Sequence, residues 1–382
     1  MRFGKLENPE GRNRWLVRGT RYGLALAIGF VAMGGGRVHG TPTHPVDDTM
    51  PSRMVIQVND DRLTVTVARA PQIYLYGVID ADAPQRFEAL VRSGKIPPGS
   101  DIYLNASQGS PGAGMALGRL FRTGTMTTHL GTPRHKGHAG YRGKKSAVCT
   151  GACAYAYFGG LYRFAPTGSD RIGLVYPAAQ AGAGEANAYL KTMGIDLARL
   201  GPAPASPGDA PLWLTADRMI SSGLANNGRL PLKTKIWLLP PMPSLELVQD
   251  DRYGSHRLVL QCKPGSVTLA AYDMVGATRA NQIVANARRS YVEVDGKEVL
   301  TRQSDGASAA NGAVVITRPY PPTELVHLLS ARTIGLWVAG RTSAFRYGYT
   351  FVLYPAGKDI LDFYHACWRA APWPLDTAPA KR

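Results

Sequence analysis

Segments that favour strands alternate with segments that favour helices through the first half of the chain, and this alternation constrains the fold most. The predicted strands are 73–79, 101–105, 126–130 and 171–175, after a strand pair at 55–67 that turns at 59–61. The predicted helices are 83–93, 113–123, 151–160 and 184–193. Parallel strands need a long crossover connection, which is usually a helix. The first strands are apolar on both faces, as is typical of a covered sheet. The sequence therefore predicts an α/β fold with a parallel sheet and crossover helices.

The pattern changes at the proline-rich segment 239–243, after which short β-rich runs dominate. Two helices are predicted among them, at 322–331 and 358–368, and Asp295-Gly296 predicts a hairpin. We therefore expect a second domain that is α+β and mostly antiparallel. A chain of 382 residues agrees with two domains of roughly 100–200 residues each. The predicted organisation is a signal peptide or anchor at 1–40, a linker at 41–54, the α/β domain at 55–238, the α+β domain at 239–375 and a tail at 376–382.

The N-terminus has the three parts of a secretory signal. Residues 12–21 contain four arginines, residues 22–36 are apolar and glycine-rich, and Val38 and Gly40 stand at the two positions that a signal peptidase recognises. This pattern predicts cleavage near Gly40 and an exported protein, periplasmic or extracellular. The alternative is a single-pass anchor formed by residues 22–36, whose 15 residues are short for the roughly 20 of a membrane span.

Four cysteines agree with an oxidising compartment, where an even number indicates one or two disulfides. Four cysteines allow three pairings. We prefer Cys149–Cys153 with Cys262–Cys367, because each pair then stays within one predicted domain. No cysteine or histidine pair follows at zinc-ligand spacing, and no dinucleotide or phosphate-loop motif is present. We therefore expect no metal and no cofactor.

The chain has 44 lysine and arginine residues against 27 acidic ones, a formal net charge of +17. Part of the excess lies before residue 41, and the main local cluster is 134–145. We find no zinc-finger spacing, RNA-binding aromatic signature or heptad repeat, so specific nucleic-acid binding is not expected. A basic loop attracted to an anionic envelope surface is the better interpretation of the charge.

Four segments occur in a distinctive order: 73–90 (IYLYGVIDADAPQRFEAL), 101–124 (DIYLNASQGSPGAGMALGRLFRTG), 149–160 (CTGACAYAYFGG) with 171–179 (RIGLVYPAA), and 212–227 (LWLTADRMISSGLANN). This order resembles the Clp protease proteolytic subunit and its exported relatives, on the Clp/crotonase fold. The resemblance covers about residues 70–228. It implies a serine peptidase with an oxyanion-hole turn, a nucleophilic serine at a helix start, a histidine base on the next strand and an acidic residue that orients the base. It also implies that copies of the chain assemble.

The residues at the implied catalytic positions depart from the family pattern. In the turn that begins at Asn105, Gln108 replaces a glycine, whereas Gly109 is retained. Gly151 stands at the position of the nucleophilic serine, and Val175 stands at the position of the histidine. Glycine has no oxygen and valine has no nitrogen, so neither can act in a triad. We therefore predict a protein that is no longer a peptidase and that binds a peptide or protein, or serves as an envelope module.

An active peptidase with a displaced serine or thiol nucleophile is the alternative. The candidate residues are Ser107, Ser110, Ser146, Thr150, Cys149 and Cys153 as nucleophiles, His129, His135 and His138 as bases, and Asp196 and Asp209 as acids. Each has a simpler interpretation. The hydroxyls are expected to satisfy turn backbone, the histidines to be solvated in or near the basic insertion, and the cysteines to form a disulfide. The glycine-rich turn could also be a generic ligand-binding loop at the carboxyl ends of strands.

Overall fold

The computed structural model describes residues 50–68, 70–133, 146–175, 180–200, 211–239, 242–263, 266–299, 307–340 and 345–370. These residues belong to one compact unit that spans Val46–Arg382. The predicted signal peptide or anchor, the basic cluster 134–145, the tail 376–382 and the residues His135, His138 and Asp209 lie outside the described residues.

The first half combines a mainly parallel sheet with crossover helices. Its elements are β1 Val55–Asn59, α1 Arg62–Ala68, β2 Gln72–Tyr76, α2 Ala83–Arg92, β3 Asp101–Asn105, α3 Pro111–Thr123, β4 Thr127–Leu130, β5 Val148–Thr150, α4 Ala152–Gly159, β6 Tyr162–Arg163, β7 Arg171–Leu174, α5 Gln180–Thr192, β8 Leu212–Leu214 and α6 Ala216–Ser221. The five-stranded sheet has the order β1-β2-β3-β4-β6, in which β2, β3, β4 and β6 are parallel. A smaller sheet has the order β5-β7-β8.

The predicted strand pair at 55–67 is wrong, because its second half forms helix α1. The Asp61 side chain accepts hydrogen bonds from the backbone N–H of Thr64 (3.1 Å) and from its hydroxyl (2.6 Å). This is the interaction of a helix N-cap. It starts a helix in a segment whose alternating valines and threonines favour a strand.

Helices α3 and α4 pack with their backbones in contact. A Cβ atom on Gly114 would lie 2.1 Å from the Ala152 carbonyl oxygen, and one on Gly159 would lie 2.2 Å from the Gly118 Cα. All eight residues of α4 are buried. The glycines of α3 and α4 therefore allow the two helices to pack closely, independently of any role in a functional site.

The second half is mostly antiparallel, as the sequence predicts. Its elements are β9 Lys233–Trp237, β10 Ser244–Asp251, β11 Gly254–Lys263, β12 Ser266–Met274, α7 Ala277–Asn286, β13 Arg289–Val294, β14 Lys297–Val299, β15 Ser308–Ala310, β16 Ala313–Tyr320, α8 Leu325–Leu328, β17 Thr333–Ala339, β18 Arg346–Val352 and α9 Gly357–Ala370. They form a six-stranded sheet, β15-β16-β12-β11-β10-β9, and a four-stranded sheet, β14-β13-β17-β18. Asp295-Gly296 turns between β13 and β14, so the predicted hairpin is confirmed. In this half the sequence analysis missed α7, β9 and β15.

The buried apolar side chains form two clusters, one within residues 54–225 and one within 245–367. The cysteines pair as Cys149–Cys153 and Cys262–Cys367, with Cα atoms 5.1 Å and 5.6 Å apart. The second disulfide joins β11 to α9, and both are compatible with an oxidising compartment. Within the described ranges, every helix is too short or too polar to cross a membrane.

Candidate functional site

Gly151 forms a sharp turn between β5 and α4, at the position where the resemblance implies a nucleophile. Its backbone has φ +57° and ψ −117°, a conformation that is strained for a residue with a Cβ. A strained strand-to-helix turn of this kind is how hydrolases expose a nucleophilic side chain. A Cβ on Gly151 would have no heavy atom within 4 Å. The backbone therefore offers the place and the space for a nucleophile, and the side chain is absent.

The turn after β3 runs beside the strand that leads to Gly151. The Asn105 side chain accepts a hydrogen bond from the Val148 backbone N–H at 3.0 Å. The Thr150 hydroxyl donates to the Ser107 carbonyl at 3.1 Å. The two segments predicted from sequence to build one site are thus adjacent at the carboxyl ends of β3 and β5, where ligands bind in parallel α/β sheets.

Gln108 and Gly109 complete this turn and are exposed. The Gln108 carbonyl accepts a hydrogen bond from the backbone N–H of Ile79 at 3.1 Å. Gly109 has φ +144°, and a Cβ there would lie 2.6 Å from Ile79. Glycine is therefore required at 109 by the close approach of the chain, while the Gln108 side chain stands free to meet a ligand.

Val175 follows β7, and β7 pairs with β5 so that Thr150 lies opposite Gly173. Positions 151 and 175 thus leave neighbouring parallel strands at the same edge. The Val175 carbonyl accepts a hydrogen bond from the Tyr155 hydroxyl at 3.0 Å. A backbone carbonyl and an aliphatic side chain provide no base at this point.

Four of the alternative nucleophiles, Ser110, Thr150, Cys149 and Cys153, make structural contacts, whereas Ser107 is exposed in the turn and Ser146 is half-buried before β5. The Ser110 side chain caps α3 by accepting from the Ala113 backbone N–H, and Thr150 donates to Ser107 as described. Cys149 and Cys153 are fully buried in their disulfide, which leaves no thiolate. Asp196 accepts from the Ala198 backbone N–H at 3.1 Å and pairs with Arg199. These interactions match the simpler interpretations of the same residues.

A second polar site lies where the β10–β11 turn meets the parallel sheet. It is a cleft of about 650 Å³, within the range of small-ligand pockets. Asp101 of β3 is buried there and accepts from His129 Nε2 at 3.3 Å and from Arg252 Nη1 at 2.7 Å. Burial alone would raise the pKa of Asp101, but these two partners more than offset it and lower the pKa.

His129 is part of a ladder of rings across the sheet, Tyr74–Tyr103–His129–Phe164, with centroids 4.8, 4.7 and 4.6 Å apart. The expectation that His129 is a solvated loop residue is therefore wrong. Its side chain points from β4 onto one face of the sheet, between two aromatic rings. Tyr103, His129 and Phe164 of this ladder line the cleft.

His256 of β11 lies on the other side of the cleft between two carboxylates. Its Nδ1 is 2.8 Å from Asp273 and its Nε2 is 3.2 Å from Asp251, while its ring stacks on Tyr349 at 3.5 Å. Neither contact is aligned as a hydrogen bond. Burial lowers the pKa of His256, but the two carboxylates outweigh it and raise the pKa to about 9. The side chain is therefore a buried cation at neutral pH.

The sequence analysis missed this cleft, although one signal was available. Along β11 the buried positions are His256, Leu258, Leu260 and Cys262, so the strand alternation places a histidine in the inward register. A polar residue in a buried register needs a partner. The partners come from β10 and β12, and no short motif records them. Among the described residues, we find no group of three or more histidine, cysteine or acidic side chains arranged to hold a metal ion.

The sequence matches no protein-family model and no curated protein sequence. Among solved structures, the chain is similar to a protein from Streptomyces avermitilis assigned as an enoyl-CoA hydratase, an enzyme of the crotonase fold. The two sequences are 12% identical, the TM-score is 0.26, and the match covers 45% of this chain and 66% of that chain. A similarity of this size carries no argument about activity.

Proposed function

We propose that the chain is an exported, Clp-protease-like protein that has lost peptidase activity and binds a peptide or protein segment beside Gly151. One observation carries the proposal: Gly151 has the backbone of a nucleophile turn, open space where a side chain would stand, and no hydroxyl or thiol. Val175 supplies no base at the neighbouring strand end. The two disulfides are compatible with the exported compartment that the N-terminal sequence predicts.

Binding without hydrolysis needs an accessible surface, and the turn after β3 provides one. Residues 107–112 are exposed beside the start of α4. An extended peptide can add main-chain hydrogen bonds to such an edge, and side-chain pockets then give specificity. Loss of the nucleophile does not remove these contacts, because backbone groups make them.

The loss of chemistry is tested with a fluorophosphonate probe and a thiol-reactive probe on the full chain. We expect no labelling above that of the heat-denatured protein. Stoichiometric labelling that disappears on replacement of Ser107, Ser110 or Thr150 by alanine would establish a displaced nucleophile and refute the proposal.

Binding is tested with fluorescein-labelled, unfolded casein as the probe. The wild type should raise the anisotropy of the probe and leave it intact, and Gln108→Trp should abolish binding by filling the exposed turn. Glu88→Trp on the exposed face of α2 is the matched control and should bind as the wild type does. If neither the wild type nor the control binds casein, or if Gln108→Trp binds equally well, the peptide site is not at this turn.

A second candidate function, binding of a small polar molecule, is favoured by the cleft around Asp101 and His256. Helix α1 provides a matched pair of variants for it. Val67 lines the cleft and is exposed, whereas Leu63 is exposed on the same helix and does not line it. The wild type is screened against a panel of sugars, amino acids and carboxylic acids for compounds that raise its melting temperature. Such a compound should also raise the melting temperature of Leu63→Trp but should leave that of Val67→Trp unchanged. Equal responses of the two variants would exclude the cleft as the binding place.

A further inference from the structure

Four large apolar side chains that are near one another in the sequence are exposed at the end of β9 and before β10. Trp237 is 50% exposed, Leu238 39%, Leu239 81% and Met242 43%. Single exposed apolar residues are ordinary on protein surfaces, but a contiguous group marks an interaction site. Trp237 is the last residue of β9, and the three aliphatic side chains follow it in the turn. We call these four residues the apolar tip.

Two lysine side chains lie near the base of the apolar tip. Lys235 is exposed on the same face of β9 as Trp237. Lys263 ends β11 beside the tip, because the Cys262 backbone N–H donates to the Pro243 carbonyl at 2.9 Å.

These cations face little negative charge. Among the described residues, Lys235 and Lys263 have no carboxylate at ion-pair distance, unlike Lys233, which lies 3.1 Å from Asp250. Glu246 of β10 lies directly opposite Lys235 in the strand register, but its carboxylate pairs with Arg257. The surface around the tip is therefore apolar at its end and positive at its base.

We infer that the apolar tip inserts into the interface of a lipid bilayer that contains anionic lipids. Tryptophan is favoured at the boundary between headgroups and acyl chains, and Trp237 stands at the boundary between the polar strand and the aliphatic turn. Leucine and methionine side chains beyond it would enter the acyl region. The lysine side chains at the base would meet anionic headgroups, each contributing to the attraction.

Two features favour a bilayer over a protein partner. Strand β9 is an edge of the six-stranded sheet, so a second copy could in principle pair with it. Lys233 and Lys235 stand exposed along that edge, and lysines on edge strands oppose such pairing. Lysine is also depleted in the cores of protein interfaces, whereas anionic headgroups attract it.

The test uses a fluorophore confined to the tip, because the apolar sequence at 22–36 gives the full chain a second means of binding lipid. All four cysteines are in disulfides, so Leu239→Cys provides a unique thiol for the polarity-sensitive label NBD. The probe membranes are vesicles of equal parts phosphatidylcholine and phosphatidylglycerol, with pure phosphatidylcholine for comparison. NBD at residue 239 should brighten and shift to the blue with the anionic vesicles, and much less with the neutral ones.

A label at Glu88→Cys is the matched control, and its emission should not change. Met242→Cys gives a second reporter in the tip and should respond as residue 239 does. In the Leu239→Cys background, Lys235→Gln and Lys263→Gln should each weaken vesicle binding about fivefold, the factor that corresponds to about 1 kcal/mol per basic residue near an anionic surface.

Three results would overturn the inference. The first is an unchanged label at residue 239 while the chain sediments with the vesicles, since another segment then holds the lipid. The second is an equal response with neutral vesicles that is insensitive to the lysine variants. The third is a change of emission with protein concentration alone and a doubled mass in light scattering, which would assign the tip to a second copy of the chain.

Discussion

Replacement of His256 by glutamine should destabilise the fold by an amount that depends on pH. Glutamine has a similar size and cannot carry a charge. The folded protein holds the pKa of His256 at about 9, against 6.5 for an ordinary histidine. The stabilisation is therefore complete below pH 6.5, where both the folded and unfolded states bind the proton, and is lost as the pH rises through 9.

The magnitude follows from the two pKa values. One pKa unit corresponds to about 1.36 kcal/mol, so a pKa of about 9 against 6.5 corresponds to about 3 kcal/mol. The ring lines a cleft that is open to solvent, and solvent would screen the two carboxylates, so we expect about 2 kcal/mol. A further loss that does not depend on pH comes from the stacking of His256 on Tyr349.

The assay is urea unfolding of the wild type and of His256→Gln at several pH values from 6 to 10. The difference in free energy of unfolding should be largest at pH 6 and should shrink by about 2 kcal/mol above pH 9. His365→Gln, an exposed histidine of α9, is the control and should differ little from the wild type at every pH. A difference for His256→Gln that stays constant over this range would refute the assignment of a buried cation held by Asp251 and Asp273.

Two further predictions concern the covalent and backbone constraints. Replacement of Cys262 and Cys367 by alanine opens a loop with a sequence separation of 105 and should lower the free energy of unfolding by about 4–5 kcal/mol. Replacement of Cys149 and Cys153, whose separation is 4, should lower it by about 2 kcal/mol. Thermal unfolding should rank the two double variants in that order, and the reverse order would contradict the chain-entropy argument. Gly109→Ala should cost about 1–3 kcal/mol more than Gly94→Ala, because a Cβ at 109 meets Ile79 at 2.6 Å whereas one at 94 meets nothing within 4 Å. Equal unfolding midpoints in urea would contradict the close contact.

Local patterns were sufficient to predict most of the strands and helices. The apolar run 102–104 lies between Asp101 and Asn105, and the predicted strand at 101–105 has those bounds in the structure. The prediction for residues 62–68 was wrong because their alternation favours a strand, whereas the hydrogen-bonded cap at Asp61 starts a helix. Propensity is a weak preference that a specific interaction can override.

The two candidate sites differ in how far the sequence predicts them. The Gly151 turn was predictable because its residues lie in two short segments with a recognisable order. The cleft was not, because Asp101 is far from Arg252 and His256 in the chain and meets them only after the β10–β11 turn docks on the parallel sheet. Ion pairs of this kind depend on tertiary distance, and a single sequence does not record it.

The backbone conformation of Gly151 supports the proposed loss of peptidase activity. With φ +57° and ψ −117°, the turn would strain any residue with a Cβ by about 1–3 kcal/mol. Enzymes tolerate such strain when the side chain it exposes is needed as a nucleophile. Glycine at this position keeps the turn and the packing of α4 without that strain. It also leaves unoccupied space beside an exposed turn, where we propose that a peptide binds.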